Sequence, residues 1–323
     1  MRTALALLLL WQASPAAAFL FGGGSDKRAG ELLASMRADY QAGDCQAVLG
    51  ASDGFLAEKP PDAMREEAYG YTGSCYETCG SLDKAISLYK LALGLYPENV
   101  LFAGRLAAIY NRSGFPRLAA PLFARVLKAG PDDIDANLGL ARAYAAQGFL
   151  ARAKPYYSRA VILQDFRDAA ALEEYARWML RKGDWDEAVF IAGKGGQLQP
   201  SGYVWPLLQA RAAAGRGDYY GAVSLTEAAL KLSPSRRLRL ERALYLLMGG
   251  LPRRAADAAD AELAAGPDPL ASMVKGMALY SQGRRSEAAP YLAAGRAAGP
   301  FTAEVADSLL GVRKQATEDA CAK

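Results

Sequence analysis

Cysteine is the residue type with the clearest chemistry in this chain, because the 323-residue sequence has four cysteines and no histidine. The lack of histidine excludes His-ligated metal sites, histidine general bases and Ser–His or Cys–His nucleophiles. The four thiols, which can pair in three complete ways, belong to Cys45, Cys75, Cys79 and Cys321. Disulfide bonds and buried free thiols are both open, whereas a zinc site is disfavoured because paired CxxC spacing is missing.

Adjacent carboxylates and glycine-rich stretches are the other features that could point to catalysis. The pairs Glu173–Glu174 and Asp184/Asp186 fall on predicted helix faces and turns, where solvated charge is the ordinary explanation. The glycine-rich stretch 193–196 (GKGG) follows no strand and matches no phosphate-binding loop. Inside a helix, these glycines predict a local hinge or an early helix end. The sequence therefore predicts a chain that is not an enzyme and has no catalytic residue, cofactor or metal.

Residues 1–18 have the pattern of a secretory signal peptide. A single early Arg2 precedes an apolar run that ends at Trp11, and small residues then lead to Ala18, where cleavage is predicted. An uncleaved membrane anchor is the alternative, although the apolar run is too short to span a bilayer. The predicted mature chain is exported, periplasmic or extracellular, has no transmembrane segment, and begins with a flexible lead-in over 19–28. The formal net charge of +4 is too small to indicate a nucleic-acid partner.

The rest of the chain is built on a repeated pattern, in which a glycine is followed seventeen residues later by a proline. The eight glycines of this pattern are Gly43, Gly80, Gly114, Gly148, Gly183, Gly217, Gly250 and Gly283. The matching prolines are Pro60, Pro97, Pro131, Pro200, Pro234, Pro267 and Pro300. Only the fourth glycine lacks its proline, and Asp165 stands at that position. An alanine recurs five residues after every glycine except the first, where Val48 takes its place.

The pattern is clearest in residues 66–99, where small residues and tyrosines occupy the positions at which two short helices would pack. This segment resembles a tetratricopeptide repeat, and the resemblance extends over about residues 29–302. It implies an all-α, right-handed α-solenoid of about eight helix-turn-helix repeats with a C-terminal capping helix. The repeats are expected near 29–62, 66–99, 100–133, 134–167, 169–202, 203–235, 236–268 and 269–302.

Residues 303–323 are expected to form the capping helix and a tail. Four apolar residues share one helical face at the start of this region, namely Phe301, Val305, Leu309 and Val312. We expect this face to cover the apolar side of the last repeat.

In this family, the first helix of each repeat lines a concave groove. The family's groove positions place arginines of three successive repeats on that face, with a fourth arginine one turn away. This arginine row consists of Arg142, Arg177, Arg181 and Arg211. Further along the chain the same face turns apolar, and this apolar patch consists of Leu240, Leu244, Leu247, Met273, Met277 and Tyr280.

The arginine row could hold carboxylates through forked hydrogen bonds, and the apolar patch could hold apolar side chains of a partner. The alternative is that the arginines are ordinary solvated surface residues and that the leucines and methionines pack on neighbouring helices.

The resemblance also suggests how the cysteines pair. Cys45 would lie at the start of the second helix of repeat one. Cys75 and Cys79 would lie near the end of the first helix of repeat two, which is adjacent and antiparallel to it. A disulfide from Cys45 is expected, to Cys79 in preference to Cys75, and it would tie the weakest repeat to a strong one.

The resemblance implies a non-catalytic protein–protein interaction scaffold of the cell envelope or secreted space, similar to exported bacterial tetratricopeptide-repeat proteins. Its predicted partner is a protein or peptide that binds as a segment or helix in the groove. An alternative is a component of polysaccharide export or another envelope machine, which would bind glycan or its export partners. Exposed aromatic platforms would favour glycan, and the groove offers mainly Tyr40 and Tyr280. The oligomeric state is left open.

Overall fold

The computed structural model describes residues 24–310, and over that range it contains α-helices, turns and one short 3₁₀ helix. The predicted signal peptide over 1–18 and the residues after 310, including Cys321, lie outside the described residues. Helix α1 begins at Gly24, inside the predicted lead-in. Of the helices described, none has both the length and the apolarity needed to cross a membrane.

The chain divides into two compact bodies after Pro131. The helices of the N-terminal body are α1 (Gly24–Gln41), α2 (Cys45–Ala57), α3 (Asp62–Thr78), α4 (Leu82–Leu95), α5 (Val100–Arg112) and α6 (Pro116–Ala129). Within this body each helix packs mainly against its neighbours in sequence, so that the helices form consecutive hairpins.

The C-terminal body is also built of consecutive helical hairpins. Its helices are α7 (Ile134–Ala146), α8 (Leu150–Leu163), α9 (Ala169–Lys182), α10 (Trp185–Leu198), α11 (Val204–Gly215), α12 (Tyr219–Leu232), α13 (Arg236–Met248), α14 (Pro252–Ala264), α15 (Pro269–Ser281), α16 (Arg285–Gly295) and α17 (Pro300–Leu310). The short 3₁₀ helix, Arg296–Ala298, connects α16 to α17.

Each of the eight predicted turn glycines lies between the two helices of a hairpin, in the left-handed backbone conformation. Their φ angles range from +72° at Gly80 to +82° at Gly217. A residue with a Cβ is disfavoured there by about 1 kcal/mol or more, which explains why glycine recurs at this point of every hairpin. The sequence pattern therefore located all eight hairpin turns.

The repeat without its proline has a different connection to the next hairpin. Asp165 and Phe166, between α8 and α9, both have positive φ, at +50° and +56°. Such backbone is strained for a bulky residue. The Phe166 ring packs against the core of the C-terminal body and meets the Phe190 ring edge-on, with 6.0 Å between centroids. This packing offsets part of the strain.

Small residues line the contacts between helices. The alanines five residues after the turn glycines are at most 1% exposed, and they are Ala85, Ala119, Ala153, Ala188, Ala222, Ala255 and Ala288. Val48, at the equivalent position of the first hairpin, is also fully buried. Tyrosines fill much of the space that remains, and Tyr157 and Tyr175 stack with their centroids 5.3 Å apart. The recurring alanines thus form the buried seam of each hairpin.

The expected hinge at the 193–196 stretch is wrong, because α10 continues without a break to Leu198. The glycines there make room for an aromatic ring. A Cβ built on Gly195 would overlap the indole of Trp205, which is almost fully buried. The missing side chain therefore serves the packing of α10 against α11.

The C-terminal helix α17 packs on the last hairpin by a face that includes Leu309 of the predicted residues but not Phe301. Phe301 is 77% exposed and does not cover the core. Ala306 is fully buried instead, and Leu309 and Leu310 pack beside it against the cluster that includes Leu292. Val312 lies outside the described residues. The capping contact thus comes from the C-terminal part of α17, where an Arg296–Asp307 ion pair of 3.1 Å also joins α17 to the preceding turn.

Candidate partner-binding surface

Arg142, the first member of the arginine row, is held by a carboxylate of the next repeat. Its Nε donates to both carboxylate oxygens of Glu174, at 3.1 and 2.9 Å, and its Nη2 lies 2.8 Å from Oε2. The hydroxyl of Tyr157 donates to the same carboxylate at 2.7 Å. Burial raises the pKa of Tyr157, and the hydrogen bond to Glu174 raises it further, so this hydroxyl remains a donor.

Arg211 is held in the same way. Its Nε and Nη2 donate to the two oxygens of Glu241, at 2.8 and 3.0 Å, and the Tyr245 hydroxyl donates to Oε1 at 2.8 Å. Burial acts to raise the pKa of Glu241, but the hydrogen bonds and charge of Arg211 outweigh burial and hold that pKa below its ordinary value. The guanidinium of Arg211 is therefore largely engaged within the chain.

The two pairs occupy the same position in the repeat pattern. Arg142 and Arg211 each stand six residues before their turn glycine, and Glu174 and Glu241 each stand nine residues before the next turn glycine. Arg177 also stands six residues before its glycine, but the acceptor position in the following repeat is Leu208, a fully buried core residue. Arg177 therefore has no equivalent partner in the next repeat.

Arg177 pairs within its own helix instead. Its Nε and Nη2 donate to Oε1 of Glu173, four residues earlier, at 2.9 and 2.6 Å. Arg177 and Glu173 have side chains that are 46% and 36% exposed. Exposed pairs of this kind contribute only about 0.3–0.5 kcal/mol to stability, so a partner's carboxylate could replace Glu173 at little cost.

Arg181, the fourth arginine of the row, contacts an aromatic ring. Its guanidinium carbon lies 4.6 Å from the centroid of the Trp178 ring, within the range of a cation–π interaction. The side chain of Arg181 is exposed. Trp178 is half-buried and packs against the core cluster that includes Tyr157.

Burial divides the predicted apolar patch into two groups. Leu240 and Met273 are each 2% exposed, so their prediction as partner-contacting residues is wrong. The reason is clear for Met273, because α16 approaches its backbone at Gly295, where a Cβ would come within 2.8 Å. The partly exposed members are Leu244, Leu247, Met277 and Tyr280.

The partly exposed members also pack on the core of the C-terminal body. Leu244 lies against the cluster of Ala243, Ala259 and Val274. Met277 and Tyr280 border the cluster at the C-terminal end, and the Arg285 guanidinium lies 5.3 Å from the Tyr280 ring centroid. These side chains thus offer edges and tips to solvent rather than a continuous apolar face.

The carboxylate pairs that sequence reasoning considered for catalysis belong to ion pairs. Asp184 accepts from Lys154 Nζ at 2.8 Å, and this hydrogen bond lowers the pKa of Asp184. Asp186 lies 2.8 Å from Nη1 of Arg216. Together with the Glu173 and Glu174 pairs, these contacts give every one of these carboxylates a structural partner.

A polar cleft of about 360 Å³ lies among α14, α15 and α16. Lys275 projects into it, donates to the Tyr291 hydroxyl at 2.8 Å and pairs with Asp260. Arg284 and Glu287 form a further pair at its edge. None of the predicted partner-binding residues lines this cleft.

The predicted disulfide is present, but its partner is Cys75 rather than the preferred Cys79. Cys45 and Cys75 are bonded with 5.0 Å between their Cα atoms. Cys75 is fully buried beside the first residue of α2, whereas Cys79 is the C-cap of α3 and has an exposed, free thiol. Cys75 and Cys79 are about one helical turn apart, and only Cys75 is bonded to Cys45.

Sequence reasoning missed the acidic and aromatic partners of the arginine row. A signal for the acidic ones was present, because Glu174 and Glu241 share a fixed distance from the turn glycine. The role of Trp178 had no comparable signal, since Trp178 and Tyr157 come from two helices that only the packed hairpins bring together.

The comparisons with known proteins concern the repeats and the fold. A family model described as tetratricopeptide repeat matches residues 106–166 and 240–303. No curated protein matches the chain significantly. Among solved structures, the chain is similar to YrrB, described as a TPR protein with an unusual peptide-binding site. The identity is 20%, the match covers 53% of this chain and 88% of that chain, and the TM-score is 0.50.

Two further structures are similar at lower TM-scores. MamA from Desulfovibrio magneticus RS-1, residues 41 to the end, is 21% identical over 55% of this chain and 97% of that chain, with a TM-score of 0.49. A tetratricopeptide repeat protein from Parabacteroides merdae ATCC 43184 is 16% identical over 88% of this chain and 98% of that chain, with a TM-score of 0.41. At such identities the similarity concerns the fold alone. Residues 106–166 and 240–303 thus match the tetratricopeptide-repeat model, and the described residues have the all-α helical hairpins of that fold.

Proposed function

We propose that this chain is a non-catalytic scaffold that binds a segment of another protein along the first helices of repeats five to eight. The observation that supports it best is the series of polar and apolar side chains left accessible on those helices. Arg177 and Arg181 are exposed on α9, Leu244 is partly exposed on α13, and Met277 is partly exposed on α15. A protein segment offers the mixture of charged and apolar groups that such a surface can bind.

We place this scaffold outside the cytoplasm, in the bacterial cell envelope or the secreted space. The Cys45–Cys75 disulfide supports this address, because disulfides form and persist mainly in oxidising compartments. The signal-peptide pattern of residues 1–18 supports it from the sequence. N-terminal sequencing of the exported chain should give Phe19 as the first residue, and a chain that retains Met1 in the cytoplasm would contradict the address.

A glycan ligand has less support. Tyr40 stacks on Tyr71 with 4.8 Å between centroids, and its hydroxyl hydrogen-bonds with that of Ser74 at 3.0 Å. Tyr280 lies under the guanidinium of Arg285. Neither ring is the uncovered platform on which a sugar would stack.

Site-specific photo-crosslinking tests the proposed function. A photoreactive amino acid replaces Met277 on α15 in one variant and Ile162 in another. Ile162 is a matched control, because it is 57% exposed on α8, the second helix of its repeat. Crosslinking in the native host should attach a defined partner peptide, identified by mass spectrometry, to position 277 and not to position 162. Equal crosslinking at both positions, or none at 277, would reject this surface.

A further inference from the structure

The four arginines of the row differ in what each guanidinium can still bind. Arg142 and Arg211 are engaged by carboxylates of the following repeat, through contacts from two nitrogens each. Arg177 has only the exposed pair with Glu173 on its own helix. Among the described residues, Arg181 has no carboxylate within ion-pair distance and contacts the Trp178 ring instead. The two available cations therefore both lie on α9.

The available cations form one exposed stripe along α9. Ala170, Glu173, Arg177 and Arg181 follow at spacings of three and four residues, which places them on one side of the helix, and none of them is buried. Their partner must therefore carry negative charge opposite the C-terminal half of the stripe. Glu173 is the acidic group of the stripe, and it lies toward the N-terminal end.

Trp178 gives Arg181 a defined orientation. The indole packs against the core cluster that includes Tyr157, and the hydroxyl of Tyr157 donates to Glu174 at 2.7 Å. A guanidinium that stacks on an aromatic face keeps its N–H edges free for a carboxylate in the same plane. Arg142 binds the same Glu174 carboxylate, so its guanidinium is engaged within the chain.

We propose that α9 is the carboxylate-recognition helix of this scaffold and that its ligand is an extended acidic segment with acidic residues two positions apart. Arg177 and Arg181 are one turn apart, which corresponds to about 6 Å along the helix axis. Side chains two positions apart in an extended chain lie on the same side and are separated by about 6.6 Å. In an extended segment, two acidic residues separated by one residue of any type therefore have nearly the same spacing as the two guanidinium groups. This inference rests on the proposed function and narrows it to one helix and one ligand chemistry.

Fluorescence polarisation with labelled synthetic peptides tests the assignment. The first probe is a twelve-residue peptide with two glutamates two positions apart, and two further probes of equal charge have them adjacent or four positions apart. The folded full chain should bind the first probe most tightly, and binding should weaken with added salt. Equal binding of the three probes, preference for either of the other two, or no binding of the first would overturn the proposal.

Variants connect the binding to α9. Arg181→Gln and Arg177→Gln should each weaken binding of the first probe about tenfold, because each removes a charge-assisted hydrogen-bond donor. Arg216→Gln is the matched control, since Arg216 is an exposed arginine at the C-cap of α11 that pairs with Asp186 and does not belong to α9. It should change the affinity less than twofold. Unchanged binding in the α9 variants would overturn this inference, whereas partner crosslinking at position 277 would still support the proposed function.

Discussion

Arg211 and Glu241 are thirty residues apart in sequence, yet their side chains meet through two parallel hydrogen bonds of 2.8 and 3.0 Å. Arg211 belongs to α11 and Glu241 to α13, the first helices of successive repeats. The pair shows that charge on this face of the C-terminal body joins one repeat to the next. An arginine that would be counted as a ligand-binding group from its sequence position is therefore part of the structure.

Replacement of Arg211 should destabilise the protein. The Glu241 side chain is only 16% exposed, so Arg211→Ala leaves a mostly buried carboxylate without its partner. We expect the free energy of unfolding to fall by about 1–3 kcal/mol, as measured by urea denaturation. Arg177→Ala is the control, and its exposed pair should change the free energy by less than about 0.5 kcal/mol. If Arg211→Ala and Arg177→Ala lowered the free energy of unfolding equally, the Arg211–Glu241 pair would be no more important to stability than the Arg177–Glu173 pair.

The Glu241 carboxylate should also make the folded state sensitive to acid. Its pKa in the folded protein is below the ordinary value, so the unfolded state binds its proton at a higher pH than the folded state does. The stabilisation is therefore present above the unfolded-state pKa of about 4.3 and is lost as the pH falls through the folded-state pKa.

Thermal unfolding measured from pH 6 down to pH 3 checks this dependence. Glu241→Gln should lose stability at pH 6 and show a shallower decrease of melting temperature with falling pH than the unchanged chain. Glu98→Gln, at an exposed carboxylate, should keep the original slope. A steeper acid dependence in Glu241→Gln would mean that the sign is reversed.

The Cys45–Cys75 disulfide should stabilise the N-terminal body, whereas the free thiol of Cys79 should contribute little to its stability. The bond closes a segment of thirty residues, for which the chain-entropy contribution is about 3.6 kcal/mol. Cys75→Ala should therefore lower the free energy of unfolding by about 2–4 kcal/mol under oxidising conditions, whereas Cys79→Ala should have little effect. A large loss in Cys79→Ala, or a free thiol count above that expected for one bond, would show a different pairing.

Two glycines of α10 should respond to alanine in opposite directions. A Cβ at Gly195 would overlap the Trp205 indole, so Gly195→Ala should cost about 1–3 kcal/mol. At Gly193 the nearest group is the Gln209 Nε2, 3.8 Å from the added Cβ, and the change should stabilise the helix by about 0.5–1 kcal/mol. Chemical denaturation of both variants measures the difference, and stabilisation by Gly195→Ala would disprove the close contact.

The hairpins were predictable from the sequence because their determinants are local and repeated. A turn glycine such as Gly148 needs its left-handed conformation whatever surrounds it, and the alanine five residues later, Ala153, must be small to let two helices approach. These requirements recur every 33–37 residues, so each repeat supports the assignment of the others.

The candidate site was less predictable because its determinants lie in other repeats. Whether an arginine is free depends on the residue thirty or more positions later, which is Glu174 for Arg142 and the buried Leu208 for Arg177. The family's groove positions likewise could not show that Met273 faces α16 at Gly295. The position of a residue in the repeat predicts which face of the helix its side chain lies on. How exposed that side chain is depends on how closely the neighbouring helix approaches.

The alternation of acceptor residues along the arginine row also limits how this chain could be rebuilt. A deletion of repeat five would place Leu208, instead of Glu174, opposite Arg142. The Arg142 guanidinium would then face an apolar core position. A duplication of repeat five would instead place a second Glu174 opposite Arg177, which has no such acceptor in the native order. The repeats share one backbone arrangement, but their order determines which arginine meets a glutamate. Shuffling, inserting or removing repeats would therefore change which junctions carry a matched arginine–glutamate pair.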